Sequence, residues 1–147
     1  MHLDNWRLEL ETALVAALKR AQQLDLEMGV RRLDIGVFPW YGLIELSLLR
    51  TTDQAEDAFG HTGIADWPLY DFSWLTEGRW PEAVRLAQVM QTTWERDPDS
   101  AESFFQTTAI AASSSNVKIA LDALPLSADF IVTVYNPDNH DSRNYLT

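Results

Sequence analysis

Residues 32–50 decide the fold, and they read RLDIGVFPWYGLIELSLLR. Leu33, Ile35 and Val37 alternate with polar or small residues, and the same two-residue period returns after Gly42, which predicts two strands over 32–38 and 43–50. The Pro/Gly connection between them, PWYG, favours a hairpin. Two strands cannot be stable alone, so we expect a third strand or helices to cover their apolar face.

The flanking segments predict helices and one further strand. Apolar residues recur at three- and four-residue steps over 4–27, which predicts a long amphipathic helix that stops before Gly29. Helices are also predicted over 81–97 and 99–124. The second of these begins with a capping box at Asp99 and breaks at the serines 113–115, and a new helix capped by Ser115 or Asn116 follows. Residues 129–135 form the most strand-prone run of the chain.

These elements predict a single α+β domain spanning residues 1–147, in which helices cover an antiparallel sheet of 32–38, 43–50 and 129–135. The hairpin argues against a parallel core, because parallel strands need long crossovers. Between the hairpin and the second helix no period persists, and we expect only a helical turn at 53–59 and a short strand at 69–72.

Composition excludes several classes of function. The net charge is −11, and no cysteine is present, so disulfides and thiolate nucleophiles are impossible. An acidic surface repels phosphate backbones and anionic membranes, so neither nucleic acid nor a membrane is an expected partner. The chain has no signal-peptide pattern and no long apolar run, which predicts a cytoplasmic protein. Nothing in the sequence calls for a cofactor.

The longest acidic stretch runs from Thr51 to Gly78 and contains no Lys or Arg. Such a stretch would attract a basic protein partner, although acidity is also a common route to solubility. Its acidic residues are Asp53, Glu56, Asp57, Asp66, Asp71 and Glu77.

Aromatic residues concentrate in the segment 66–80, which reads DWPLYDFSWLTEGRW. Large aromatics either fill a core or anchor an interface, and both interpretations stay open. As a binding surface the segment would present Asp66, Trp67, Tyr70, Asp71, Trp74 and Trp80. As a structural plug it would close the open side of the hairpin.

A weaker candidate site is the polar turn that carries Asp138, His140 and Asp141. A histidine between carboxylates can ligate a divalent metal or act as a general base, and Asp66 or Asp71 could add another carboxylate. The turn fails the calcium-loop pattern, since position six is Asp141 and not glycine. Solvated loop chemistry is the plainer interpretation.

Four pieces of the sequence resemble an uncharacterised bacterial family, domain-of-unknown-function family 4303. They are the amphipathic first helix, the strand pair joined through Tyr41-Gly42, the block IADWPLYD at 64–71, and the late strand ADFIV at 128–132 with its acidic turn. The resemblance implies a small bacterial α+β protein, of a kind often found beside toxin genes as immunity candidates. The Asn136-Pro137 start of the tail departs from the family's more acidic turn.

Two functional hypotheses therefore stand side by side. The first is a non-enzymatic interaction protein, such as an immunity-type inhibitor, that presents an acidic and aromatic surface to a basic partner. The alternative is a small metal-dependent or acid/base hydrolase that uses the Asp138, His140 and Asp141 turn.

Overall fold

The computed structural model describes residues 2–26 and 29–146. Its helices are α1 (Leu3–Ala21), α2 (Val84–Arg96), α3 (Ala101–Ala112) and α4 (Ser115–Asp122), and its strands are β1 (Val30–Phe38), β2 (Leu43–Arg50) and β3 (Leu126–Thr133). Short 3-10 turns occupy Pro39–Tyr41, Ile64–Asp66, Phe72–Leu75, Pro81–Ala83 and Pro98–Ser100. The α+β class predicted from the sequence is confirmed. None of the described helices is both long and apolar enough to cross a membrane.

The three strands form one mixed sheet in the order β2-β1-β3. The hairpin forms as predicted, with Asp34 opposite Ser47 and Gly36 opposite Glu45. The third strand pairs with β1 in parallel, so the antiparallel arrangement predicted for it is wrong. The helical chain between β2 and β3 supplies the long crossover that a parallel pair requires. It returns to the start of β1, where the amide of Val30 donates to the carbonyl of Pro125 at 2.7 Å.

The hydrophobic core lies between one face of the sheet and the helices. The predicted stripe of α1 is buried from Trp6 through Ala21, and Leu33, Ile35 and Val37 of β1 are fully buried on the facing side. The helix itself ends at Ala21, six residues before the predicted end. The predicted end, residue 27, lies outside the described residues. Its last carbonyls accept from the amides of a turn over 22–24, which ends the helix before Gly29.

The break between α3 and α4 occurs where the serines predicted it. The cap is Ser114, one residue before the predicted positions, and its hydroxyl accepts from the amide of Val117 at 3.3 Å. The capping box at Asp99 does not form. Asp97 instead accepts from the amide of Asp99 at 3.2 Å, because a 3-10 turn precedes α3.

Residues 59–70 cover the side of the hairpin that faces away from the helices, and residues 72–78 continue to the end of α1, where the amide of Glu77 donates to the Gln23 side-chain oxygen at 3.2 Å. The predicted helical turn at 53–59 is absent, because these residues adopt bends, and the predicted strand at 69–72 is reduced to a single bridge between Leu48 and Leu69. Glycines and Pro68 interrupt any longer ladder. This covering segment brings polar side chains of the loop against polar side chains of the strands.

Candidate functional site

The outer face of the hairpin is polar and aromatic. Side chains alternate along a strand, so the positions between the core residues of β1 and β2 all point away from the helices. They are Asp34, Gly36 and Phe38 on β1, paired with Ser47, Glu45 and Leu43 on β2. Most of this face is covered by the loop 59–71 and by the chain after β3.

A cavity of about 230 Å³ lies between this face and the loop. We call it the cleft. Its polar lining consists of Asp34, Glu45, Ser47, His61, Tyr70 and Tyr135, and the aromatic ring of Phe38 completes the wall. None of the described residues that line it is Lys or Arg.

A buried ion pair closes one end of the cleft. The Arg32 side chain is fully buried, and its Nη2 donates to Oδ1 of Asp34 at 3.2 Å while its Nε donates to the Thr133 hydroxyl at 2.8 Å. Thr133 in turn donates to the same Asp34 oxygen at 2.6 Å. The ring of Trp67 lies over the guanidinium, with 4.9 Å between the guanidinium carbon and the ring centre. This closed network fixes the orientation of the Asp34 carboxyl.

Burial dominates the electrostatics of that pair. Removal from water raises the pKa of Asp34, and the hydrogen bonds from Thr133 and Arg32 offset only part of that rise. The same loss of solvent lowers the pKa of Arg32 from its usual value, although the charge of Asp34 opposes the shift. The bonds from Thr133 and Arg32 both reach Oδ1 of Asp34, and Oδ2 receives no hydrogen bond from the described residues.

A second carboxyl stands at the mouth of the cleft. The Tyr70 hydroxyl donates to Oε2 of Glu45, and no described residue donates to Oε1. Burial raises the pKa of Glu45, and the nearby charges of Asp71 and Asp34 raise it further against the effect of the tyrosine bond. Burial and the Glu45 bond raise the pKa of Tyr70 far above its usual range, so it remains a neutral donor.

The turn Phe72–Leu75, which follows the cleft residue Tyr70 along the chain, holds an exposed tryptophan. Trp74 is 64% exposed, with the Arg79 guanidinium 4.4 Å from its ring centre. The amide of Asp71 donates to the Ser47 hydroxyl at 2.9 Å, and its carboxylate accepts from Ser73 at 3.1 Å. Burial raises the pKa of Asp71 despite those bonds. We call residues 70–75 with Arg79 the Trp74 knob.

The backbone at both ends of the knob is strained. Asp71 has φ 46° and Arg79 has φ 52°, and they are the two described non-glycine residues with positive φ. Such conformations cost about 1–3 kcal/mol each and persist where the surroundings over-determine them, often at functional positions.

The structure divides the predicted binding residues into two groups. Trp67 and Trp80 are buried, so their prediction as partner contacts is wrong. Trp80 packs on α1, where its Nε1 donates to the carbonyl of Ala13 at 2.7 Å, and Trp67 stacks on Arg32. Asp66, Tyr70, Asp71 and Trp74 all reach the surface to some degree.

Among the described residues, one carboxylate of the acidic stretch forms an ion pair. Oδ1 of Asp53 lies 2.9 Å from Nη2 of Arg50, and this arginine is one residue outside the stretch. Asp57 is exposed, and its side chain accepts from the amide of Gly60 at 2.9 Å. Glu56, Asp66 and Glu77 are exposed, so most of the negative charge does face solvent.

The C-terminal turn is not assembled as a metal site. Asp138, His140 and Asp141 are all exposed, and among the described residues no three His, Asp or Glu side chains are grouped to hold an ion. The side chains of Asn136 and Asn139 shape the turn by accepting from the amides of Asp138 and Asp141, both at 3.0 Å. The metal-dependent form of the hydrolase hypothesis therefore lacks a grouped ligand set among the described residues.

Sequence analysis did not single out Asp34, Glu45 or Tyr135. The signal for the first two was available, because both are acidic residues at strand positions that alternate with the core. Their neighbours across the cleft come from distant parts of the chain, and Tyr70 is the one among them that was predicted as a site residue.

Comparison with known proteins gives no relative. No protein-family model matches the chain, and no curated protein or solved structure matches it either. The resemblance to the uncharacterised family stays a prediction.

Proposed function

We propose that this protein is a non-enzymatic binding protein that docks a basic protein partner on the outer face of its hairpin. The observation that carries the proposal is the exposed Trp74, held on strained backbone in the knob whose Tyr70 lines the carboxylate-containing cleft. Exposed tryptophans are the residues that most often dominate interface energies. Strained backbone that keeps a tryptophan in solvent costs free energy, and folding alone does not require that cost.

Charge complementarity supports a basic partner. Asp34, Glu45 and Asp71 are each partly or wholly removed from water, and each has a raised pKa. A cation placed near these carboxylates would supply the favourable electrostatic interaction that they lose when they are removed from water. The exposed acidic residues of 51–78 would steer such a partner toward this face.

An immunity-type inhibitor of a basic toxin is the concrete form of this proposal. It would cover the toxin with an acidic surface and would need no catalytic group of its own. If the gene beside this one encodes a protein with a basic C-terminal domain, we expect that domain to be toxic when expressed alone and tolerated when co-expressed with this chain.

A random peptide library displayed on phage, selected on the immobilised full chain, tests the proposal without a known partner. We expect enrichment of peptides that combine Lys or Arg with apolar residues. Trp74→Ala should weaken the selected peptides by about 2 kcal/mol, the size of an interface hot spot.

The matched control is Ile119→Ala, because Ile119 is 68% exposed but lies on α4, away from the cleft. It should leave binding unchanged. Selection of peptides without basic residues, or equal binding by the wild type and Trp74→Ala, would refute the proposal.

A further inference from the structure

The size of the cleft points to a single side chain as its occupant. Its volume of about 230 Å³ holds roughly seven or eight water molecules at about 30 Å³ each. Pockets for drug-sized molecules span about 300–1,000 Å³. The cleft is therefore smaller than a typical pocket for a drug-sized molecule and large enough for one long side chain.

Its walls favour a cation with a flat, weakly hydrated head. The rings of Phe38, Tyr70 and Tyr135 line it, and aromatic faces attract cations within about 6 Å. A guanidinium stacks on such rings and also bonds carboxylates with two parallel donors, which an ammonium cannot do.

Two acceptor oxygens are available for it. Oδ2 of Asp34 and Oε1 of Glu45 receive no hydrogen bond from the described residues. Asp34 is only 6% exposed and lines the cleft. Neither oxygen is fully shut off from solvent, so a cation in the cleft would replace water as its partner through charge-assisted hydrogen bonds.

A glycine keeps the floor of the cleft clear. A Cβ built on Gly36 would come within 3.0 Å of the Phe38 ring and within 3.6 Å of the Glu45 carbonyl. Any side chain at this central strand position would push against the wall. Glycine weakens a strand interior, and it is often found where another group approaches the backbone closely.

We infer that the cleft binds one arginine side chain of the basic partner, with its guanidinium against Glu45 and Asp34 between the rings of Tyr70 and Tyr135. This inference rests on the proposed function and names the chemical group that the partner inserts. The Trp74 knob lies next to the inserted side chain and contacts the surface around it.

The test is an NMR titration of the ¹⁵N-labelled full chain with Nα-acetyl-L-arginine amide. The corresponding citrulline and lysine derivatives serve as ligand controls, because citrulline keeps the shape of arginine without its charge. We expect saturable shifts at 34–38, 43–47 and 70 for arginine, with a dissociation constant of about 1 mM or tighter. Citrulline should bind at least about tenfold more weakly.

Three variants locate the site. Glu45→Gln should weaken arginine binding at least about tenfold, and Gly36→Ala should weaken it by narrowing the cleft. Glu95→Gln makes the same charge change at an exposed position of α2 and should have no effect. Folding of each variant is verified from its own amide spectrum.

Equal binding of citrulline, equal binding of the lysine derivative, or an unchanged affinity in Glu45→Gln would overturn the inference. Absence of saturable shifts with the arginine derivative would overturn it as well. If basic peptides still bind through Trp74 while replacement of their arginines by citrulline has no effect, the inference fails and the proposed function stands. If no basic peptide binds at all, the proposed function fails.

Discussion

Replacing the buried Arg32 by methionine should strongly destabilise the protein. The substitution keeps a long apolar stem but removes three donated hydrogen bonds, at 2.8, 2.9 and 3.2 Å, to Thr133, Ala58 and Asp34. It also removes the cation over Trp67. What remains is the Asp34 carboxyl, 6% exposed, with only Thr133 as a donor.

The expected loss of unfolding free energy is about 3–5 kcal/mol, the cost of leaving one member of a buried ion pair without its partner. A domain of this length loses about 2–4 °C of thermal midpoint per kcal/mol. The midpoint should therefore fall by roughly 6–20 °C. Urea unfolding followed by far-ultraviolet circular dichroism measures the free energy directly.

The double variant Arg32→Met/Asp34→Asn separates the charge from the packing. The asparagine removes the orphaned charge and can still accept from Thr133, so the double variant should be more stable than Arg32→Met alone. The coupling between the two positions should lie within about 0.5–3 kcal/mol. A loss below about 1 kcal/mol for Arg32→Met, a typical value for an ordinary substitution, would refute the ion pair as the anchor of the cleft. Strictly additive losses would refute it equally.

The pH dependence of this variant has a definite sign. Burial raises the folded pKa of Asp34 above its unfolded value, so in the window between the two the folded state holds a proton that the unfolded chain has released. Stability from this group therefore increases as the pH falls through the folded pKa. Removing Arg32 raises that pKa further, so the deficit of Arg32→Met should shrink between pH 7 and about pH 4. A deficit that grows as the pH falls would contradict the assignment.

The placement of the aromatic and acidic side chains also predicts the stability of three variants and the pH dependence of peptide binding. Trp67→Ala should cost about 3–5 kcal/mol of unfolding free energy, whereas Trp74→Ala should change it by no more than about 0.5 kcal/mol. Equal losses in urea unfolding would contradict the difference in burial between the two side chains. Glu45→Gln should raise the thermal midpoint at pH 7 by scanning calorimetry, because a neutral amide avoids the partial burial of a charge and its repulsion by Asp71 and Asp34. A lower midpoint would contradict this. Affinity for a selected basic peptide, measured by calorimetry, should fall as the pH decreases, because the pKa values of Asp34, Glu45 and Asp71 are raised and their protonated forms no longer attract a cation. An affinity that is independent of pH would count against the cleft as the binding site.

The sequence predicted the hairpin and the burial of α1, because both depend on periodic patterns within one segment. The partner of β3 was not predictable from such patterns. Strand orientation depends on where the chain returns after α4, and residues 129–135 are equally strand-prone in either direction. The end of α1 was overestimated because apolar spacing continues to Leu24 after the helical hydrogen bonds stop at Ala21.

The candidate site was partly predictable. The aromatic segment was recognised, but the sequence could not separate the buried Trp67 and Trp80 from the exposed Trp74, since all three lie in similar acidic surroundings. Their fates depend on contacts with Arg32 and with α1, which are remote in sequence. The cleft itself combines strand residues with loop residues, so no single segment indicated it.

The central claim is that a basic ligand binds at the Trp74 knob and the adjoining cleft. The indole N–H signals of the six tryptophans test it in one spectrum of the complex with a peptide selected from the library. The Trp74 signal should shift on binding, while those of Trp6 and Trp80, whose N–H groups donate to buried carbonyls of Leu86 and Ala13, should stay in place. A stationary Trp74 signal would contradict binding at this site. Backbone amide shifts confined to the helical face around Ile110 and Ile119 would contradict it as well.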